Sequence, residues 1–109
     1  MPRQSTPATL FGRRLRDART RTGLPQDKLG VIIGMDESTS SARISRYETG
    51  THEPPFATAA NLAIALGVPV AYFYCDDDHL ADFLLKYAAL GQDQQSQLRA
   101  LASEMMAAT

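Results

Sequence analysis

The sequence predicts an all-α fold, and three observations support this expectation. Alanine and leucine are plentiful across the 109 residues, whereas segments that alternate apolar and polar residues, as strands do, are absent. Glycines also follow several segments with helical apolar spacing, where a left-handed residue commonly ends a helix. A chain of this length is an ordinary single domain and buries about two-thirds of its unfolded surface.

The charges are unevenly distributed along the chain. The formal net charge is −1, yet residues 1–50 hold nine of the eleven basic residues against five acidic ones, and residues 51–109 hold two against seven. Such asymmetry indicates an amino-terminal half that faces a polyanion. A basic stretch alone is more often a solvated surface, so this observation supports nucleic-acid binding without establishing it.

The amino-terminal region predicts a flexible arm followed by one helix. Residues 1–8 are polar and contain proline, which is typical of a frayed terminus. The first helix begins after Thr6 or Thr9, either of which can cap it, and ends at Gly23. Its apolar residues recur at helical spacing and are expected in the core, while arginines surround them.

A second helix is predicted to open at Gln26, with a narrow apolar face around Leu29. Pro25 precedes it and supplies no side-chain cap. Gly30 lies inside this helix and lowers its propensity by up to about 1 kcal/mol. The absence of a side chain there permits the next helix to approach closely.

Residues 39–50, TSSARISRYETG, predict a third helix with one polar and basic face. If Ser40 caps it, the helix runs from Ser41 to Glu48 or Thr49 and ends at Gly50. Ile44 and Tyr47 are three residues apart and can fasten it to the core. The remaining surface carries small, polar and basic side chains, namely Ser41, Ala42, Arg43, Ser45, Arg46 and Thr49. A helix of this kind suits the major groove of DNA, where arginine pairs with guanine and small residues allow close approach.

The rest of the chain predicts four further helices. The fourth runs from about Pro55 to Leu66, and a short fifth starts at Pro69. A sixth spans about Asp78 to Leu90, and a seventh is capped by Asp93. The last two are acidic and apolar on one face, so they either fold back on the first helices or pair with another subunit.

The sequence CDDDH, residues 75–79, resembles a metal or catalytic site only in composition. A structural zinc site needs four ligands, and a cysteine nucleophile needs a base and positive surroundings, whereas three aspartates supply the opposite charge. These acids are better explained as a cap for the sixth helix. We therefore expect no enzymatic activity, metal or cofactor. The single cysteine and the lack of a signal or membrane span favour a reducing cytoplasm.

The order of these segments carries a resemblance to a known family. FGRRLRDARTRTGLPQDKLG, then ISRYETG, then EPPFATAANLAIALGVPVAYF resemble the Cro and lambda-repressor-like helix-turn-helix family, from roughly Leu10 to Phe73. The resemblance implies a DNA-binding domain of about five helices at residues 9–74. Residues 75–109 would then be a two-helix extension, available for dimerisation.

The resemblance also implies roles for individual residues. Together with the helical face described above, it predicts base reading by Ser41, Ala42, Arg43 and Arg46. The predicted phosphate contacts are Gln26, Ser45, Thr51, Arg13 and Arg14. Arg19 and Glu48 match a structural ion pair of the family, which fixes geometry more than it adds stability.

One region departs from the family. The segment between Met35 and Ile44 holds eight residues where four are typical. Either the turn is a longer loop, or the third helix starts earlier and is capped by Ser38 or Thr39. Asp36 and Glu37 are expected to face away from phosphates.

These expectations lead to one leading functional hypothesis and two alternatives. The leading one is a dimeric transcriptional regulator of bacterial or phage type that binds double-stranded DNA. One alternative is the antitoxin of a toxin pair, whose carboxyl-terminal helices hold a protein partner. The other is a helical adaptor that kept the fold without the DNA readout.

Overall fold

A computed structural model describes residues 7–109, and this part of the chain is all-helical, as predicted. The α-helices are α1 (Leu10–Thr22), α2 (Gln26–Ile32), α3 (Glu37–Thr49), α4 (Phe56–Leu66), α5 (Asp78–Ala89) and α6 (Gln92–Ala107). A 3-10 helix, Val70–Tyr74, lies between α4 and α5. The predicted arm lies mostly in residues 1–6, outside the described residues, as does the alternative cap Thr6.

The core joins α1 to α4 and the 3-10 helix. Its fully covered side chains have an exposed fraction of 0% and come from each of these helices: Leu15, Leu29, Ile44, Ala59, Leu62 and Phe73. Burial of several large aliphatic and aromatic side chains stabilises a fold by about 1.5–3 kcal/mol each, before entropy is counted. This shared core fixes the positions of α2 and α3 relative to α1.

The cap of α1 is as predicted for Thr9. Its Oγ1 accepts a hydrogen bond from the Gly12 N–H at 3.0 Å, which satisfies one amide of the first turn. At the other end Gly23 has φ 77°, the left-handed conformation that glycine adopts at little cost.

The start of α3 differs from the prediction that Ser40 caps it. The helix begins at Glu37, and the cap is Asp36, whose carboxylate accepts from the Ser38 N–H at 3.4 Å. Neither Ser38 nor Thr39 is the cap either. The turn between α2 and α3 is confined to residues 33–36, so the additional residues lengthen the helix instead of the turn.

Ser40 is buried between α2 and α3. Its exposed fraction is 0%, and its Oγ donates to the Asp27 carbonyl at 2.6 Å. The close approach predicted from Gly30 explains how it fits, because a Cβ built on Gly30 would lie 1.8 Å from Ser40 Oγ. A glycine on one helix and a hydroxyl on the next therefore hold the two together.

The carboxyl-terminal helices project from this core. Asp77 caps α5 by accepting from the Leu80 N–H at 3.0 Å, as the run of aspartates predicted. The predicted cap of the last helix, Asp93, is wrong, because α6 starts at Gln92 and Gly91 N–H donates to Gln94 Oε1. No residue of α6 is buried by the described chain, which measures 54 × 25 × 24 Å.

Candidate nucleic-acid interface

The solvent-facing side of α3 carries small, polar and basic side chains. The four predicted base-reading residues, Ser41, Ala42, Arg43 and Arg46, are all exposed there. Two buried side chains hold the helix from behind, since Ile44 is 0% and Tyr47 is 8% exposed. The arrangement presents a convex polar surface of the width that a major groove admits.

The earlier start of α3 adds one turn to this surface. Ser38 and Thr39 are exposed and precede Ala42 by four and three residues, so they lie on the same face. Sequence reasoning missed them because Ser40 was taken as the cap. Asp36, a residue type as favourable for capping as serine, was the signal that could have found them.

Glu48 is the buried centre that joins α1, α2 and α3. Its exposed fraction is 0%, and Arg19, with which the resemblance predicts an ion pair, donates to it from Nε and, at 3.1 Å, from Nη2. Arg16 also donates from Nε at 3.0 Å, and Gln26 donates from Nε2 at 3.1 Å. One carboxylate therefore receives hydrogen bonds from two helices that flank the one carrying it.

The pKa of Glu48 depends on two opposing effects, its burial and the hydrogen bonds that it accepts. Burial by itself raises the pKa of a carboxyl group, since it removes water from the charged form. The hydrogen bonds from Arg19, Arg16 and Gln26 outweigh that effect and lower the pKa of Glu48 below its ordinary value. The carboxylate is consequently ionised at neutral pH and holds its donors in fixed positions.

Gln26 connects this buried centre to the exposed face of α3. While its Nε2 donates to Glu48, its Oε1 accepts from Ser41 Oγ at 3.4 Å. Gln26 is the first residue of α2 and is half-buried, so its amide lies at the boundary between core and solvent. Ser41, which is predicted to read a base, is thereby linked to Gln26, which is predicted to contact a phosphate.

The loop after α3 continues the same surface. Gly50 has φ 83° and turns the chain, and His52 N–H donates to the Arg46 carbonyl at 3.2 Å. Thr51 is exposed, and its Oγ1 lies 2.9 Å from Thr49 Oγ1. Ser45, also predicted to contact a phosphate, is half-buried on α3.

Arg13 and Arg14 lie in different environments although they are adjacent. Arg14 is 5% exposed and donates to the Cys75 carbonyl from Nε and Nη2, at 3.0 and 2.7 Å, and to Asp78 at 2.9 Å. The expected phosphate contact does not suit this position, because the guanidinium is enclosed within the protein. Arg13 is exposed, and its Nη2 lies 3.3 Å from the same Asp78 carboxylate.

The CDDDH segment serves structural contacts in this fold. Cys75 supplies the carbonyl that Arg14 binds, and Asp77 caps α5. Among residues 7–109, no group of three or more histidine, cysteine or acidic side chains is placed to hold a metal ion. Within the same range, every helix is too short or too polar to span a bilayer.

Comparison with known sequences identifies the region that carries this surface. A family described as a helix-turn-helix domain matches residues 10–72. An HTH-type transcriptional regulator of Sinorhizobium medicae (strain WSM419) is 35% identical over 65 residues, which cover 60% of this chain and 44% of the relative. A second relative, R00410 of Rhizobium meliloti (strain 1021), matches to the same extent. This chain therefore spans less than half the length of these two relatives.

Two further matches extend beyond the matched domain. The cryptic phage CTXphi transcriptional repressor RstR of Vibrio cholerae is 34% identical over 77 residues, covering 71% of this chain and 66% of the repressor. The crystal structure of the transcriptional regulator BswR is 41% identical, with a TM-score of 0.85. That match covers 89% of this chain and 96% of the BswR chain.

Proposed function

Because this chain belongs to the helix-turn-helix domain family, we propose that it is a transcriptional regulator that binds double-stranded DNA sequence-specifically. The observation that supports this function best is the exposed, polar and basic face of α3, which buried contacts hold from behind. Its similarity to the repressor RstR and to the regulator BswR is consistent with that role.

Base reading is assigned to the exposed face of α3. Arg46 donates two hydrogen bonds to a guanine edge, the commonest specific contact in the major groove. Arg43 and Ser41 lie on its flanks, and Ala42 allows the backbone to approach the bases. Ser38 and Thr39 extend the reading surface by the additional turn that the structure describes.

Phosphate contacts are assigned to the edges of this surface. Ser45, Thr51 and Arg13 are the simplest donors of this set, since each is at least partly exposed. Gln26 has two N–H groups on its amide, of which one binds Glu48, so the other is left to donate to a phosphate. Such contacts position the protein on the duplex without reading sequence.

The sharpest test of this function is the variant Arg46→Ala. Loss of a bidentate guanine contact should weaken binding to the selected site by about 1–3 kcal/mol and relax the preference at one base position. The measurement is selection of bound duplexes from a random pool, followed by titration of the selected and scrambled duplexes. Arg21→Ala removes an exposed arginine from α1 and is the matched control. Unchanged affinity and preference in the Arg46 variant would refute its role.

Salt dependence separates a DNA-binding regulator from a helical adaptor. Phosphate binding releases counterions, so the logarithm of the affinity should fall linearly with the logarithm of the salt concentration. Duplex binding without this slope, or no duplex binding at all, would favour the adaptor.

We propose that the functional form is a homodimer whose subunits meet through α5 and α6. Apolar side chains on these helices that stay 45–76% exposed within the described chain include Leu80, Phe83, Leu101, Met105 and Met106. A second copy presents the same side chains, so it supplies a complementary apolar surface. Such dimers read two half-sites about 34 Å apart. A purified chain that stays monomeric would instead point to a different protein partner for this surface.

A further inference from the structure

We propose that a pocket between the start of α1 and the loop after α3 binds a small organic cation with an apolar body. The pocket has a volume of about 250 Å³. Phe11, Phe73 and Tyr74 line its apolar side, and His52 and Glu53 lie at its polar side. The site is separate from the exposed face of α3 that is assigned to base reading.

The apolar side is built from aromatic rings at angles to one another. The Phe11 and Phe73 ring centroids are 5.0 Å apart at 53°, and the Phe11 and Tyr74 centroids are 5.5 Å apart at 48°. Phe73 is fully buried and Phe11 is 6% exposed, whereas Tyr74 is 44% exposed. The packed rings form a rigid base, and Tyr74 offers an accessible ring. Aromatic faces attract cations as well as apolar groups.

The polar side of the pocket carries negative charge. Glu53 is exposed and forms no ion pair within 4 Å among residues 7–109. Burial and, after it, the charge of Glu53 raise the pKa of Tyr74 above its ordinary value. The carboxylate therefore acts on a group that lines the pocket. A cation gains from this charge and from the rings, whereas an anion is repelled by the carboxylate.

The volume limits the size of the ligand. Pockets for drug-sized molecules measure roughly 300–1,000 Å³, so this one takes a smaller compound. A compound with one apolar ring and a short aminoalkyl group fits this volume, because its ring can contact the aromatic side chains and its ammonium group can face Glu53.

Occupancy of the pocket acts on DNA affinity, and this step rests on the proposed function. Gly50 and His52 line the pocket and flank Thr51, which is assigned to a phosphate contact. A bound cation offsets the charge of Glu53 beside that loop, so phosphates are repelled less. By linkage, DNA also raises the affinity for the cation by the same factor.

The first experiment titrates benzylammonium into the complete isotope-labelled protein without DNA and follows amide chemical shifts. Saturable shifts should centre on Gly50, Glu53 and Tyr74, and benzylammonium should bind more tightly than benzyl alcohol, with benzoate weakest. Absence of saturable shifts there, or equal affinity for the three probes, would overturn the proposal.

The second experiment removes the charge that selects the cation. Glu53→Gln should weaken benzylammonium binding about two- to fivefold, as expected for a solvent-accessible ion pair, and leave benzyl alcohol unaffected. Glu37→Gln, which alters an exposed carboxylate on α3, is the control. Unchanged cation affinity in the Glu53 variant would contradict the assignment.

The third experiment measures affinity for the selected duplex with and without saturating benzylammonium at constant ionic strength. The cation should raise DNA affinity about two- to fivefold in the natural protein, and the Glu53 variant should need about two- to fivefold more cation to reach the same effect. No effect on the natural protein would overturn the coupling. Because the titration without DNA tests the pocket separately, a failure of DNA binding is distinguishable from a failure of the pocket.

Discussion

The two parts of the chain differ in how many of their side chains are buried: many are in residues 9–74, and few are in the carboxyl-terminal extension, residues 75–109. In the first region even charged groups are enclosed, and Arg19 and Glu48 are 6% and 0% exposed as a pair. In the extension, Ala81 is the one residue of α5 that is buried, and α6 has none within the described chain. The comparison shows that residues 9–74 supply most of the buried core, whereas α6 stays exposed within the described chain, which is the surface that the proposed dimer would cover.

Arg14 connects the two regions through hydrogen bonds and an ion pair. It belongs to α1, yet it binds the Cys75 carbonyl and Asp78, and its guanidinium lies 5.6 Å from the Tyr72 ring centroid. The first turn of α5 is thus attached to the rigid region, while α6 extends beyond it. We expect substitutions in the buried core of residues 9–74 to reduce the stability of the monomer most. Substitutions at the contact of Arg14 with α5 should reduce it less, and those in α6 least.

The largest effect is expected for Glu48→Gln. It leaves Arg19 and Arg16 beside a neutral amide, and breaking a buried pair in this way costs about 3–5 kcal/mol. Urea unfolding of the variant and of the natural protein measures the difference. Glu104→Gln, in the exposed α6, is the control and should change stability by less than about 0.5 kcal/mol. Similar losses in both variants would remove the contrast between the two regions.

Acid should reduce the effect of that substitution. The pKa of Glu48 lies below its ordinary value of 4.5, so its charge stabilises the fold above that pH and ceases to do so as the pH falls through the lower folded value. The difference between natural protein and variant should therefore shrink on acidification. Hydrogen bonds also lower the pKa of Asp77, from the Leu80 N–H, and of Asp82, from Lys86. Both proteins share these acids, so the difference isolates Glu48.

Arg14→Met should have the next largest effect. The carbonyl of the half-buried Cys75 loses both of its donors from Arg14, and leaving a polar group unsatisfied in this way costs about 1 kcal/mol or more. Unfolding by urea gives the cost, and Arg13→Met is the matched control because Arg13 is exposed. Equal stability of the two variants would show that the buried contact does not fasten the extension.

A smaller loss is expected for Gly30→Ala, although alanine is the better helix former. The new methyl group meets Ser40 Oγ, and overpacking costs about 1–3 kcal/mol, partly offset by about 1 kcal/mol of helix propensity. Thermal unfolding is the measurement. Gly91→Ala is the control, since its Cβ would have no neighbour closer than 3.6 Å. A stabilised Gly30 variant would mean that α2 and α3 separate easily.

The smallest effect on monomer stability is expected for Leu101→Asp. This side chain is 51% exposed, so a change there should alter urea unfolding of the amino-terminal region by less than about 0.5 kcal/mol. The same change should abolish dimerisation, measured by sedimentation equilibrium. Ser103→Asp on the same helix adds the same charge without removing an apolar side chain, so this control should still form the dimer. A dimer that persists would place the interface elsewhere.

Much of the fold was predictable because its signals are local. Thr9, one of two candidate caps, and Gly23 bound α1, and the 3.6-residue spacing marks Ile44 and Tyr47 as buried. The relation between Arg19 and Glu48 came from the resemblance and not from spacing. No local rule connects positions 29 residues apart.

The errors occurred where several residues offer the same local chemistry. Asp36, Ser38, Thr39 and Ser40 can all cap a helix, and only the space that Gly30 leaves on α2 decides that Ser40 is buried. Adjacent arginines at 13 and 14 are equivalent in sequence, yet a helix turns about 100° between them. Arg14 lies three residues after Phe11 and four before Ala18, so spacing places it beside the buried side chains, but its partners follow from where α5 packs, which spacing does not reveal.

The length of α3 has a consequence for the angle at which the protein approaches a duplex. Its 13 residues rise about 1.5 Å each and span about 20 Å, whereas a major groove is about 12 Å wide. Laid straight across the groove, the helix would press its acidic first residues, Asp36 and Glu37, against a phosphate strand. We therefore expect α3 to lie along the groove with Ser38 and Thr39 toward the bases, while Glu37, seven residues before the buried Ile44, lies on the side that faces the protein.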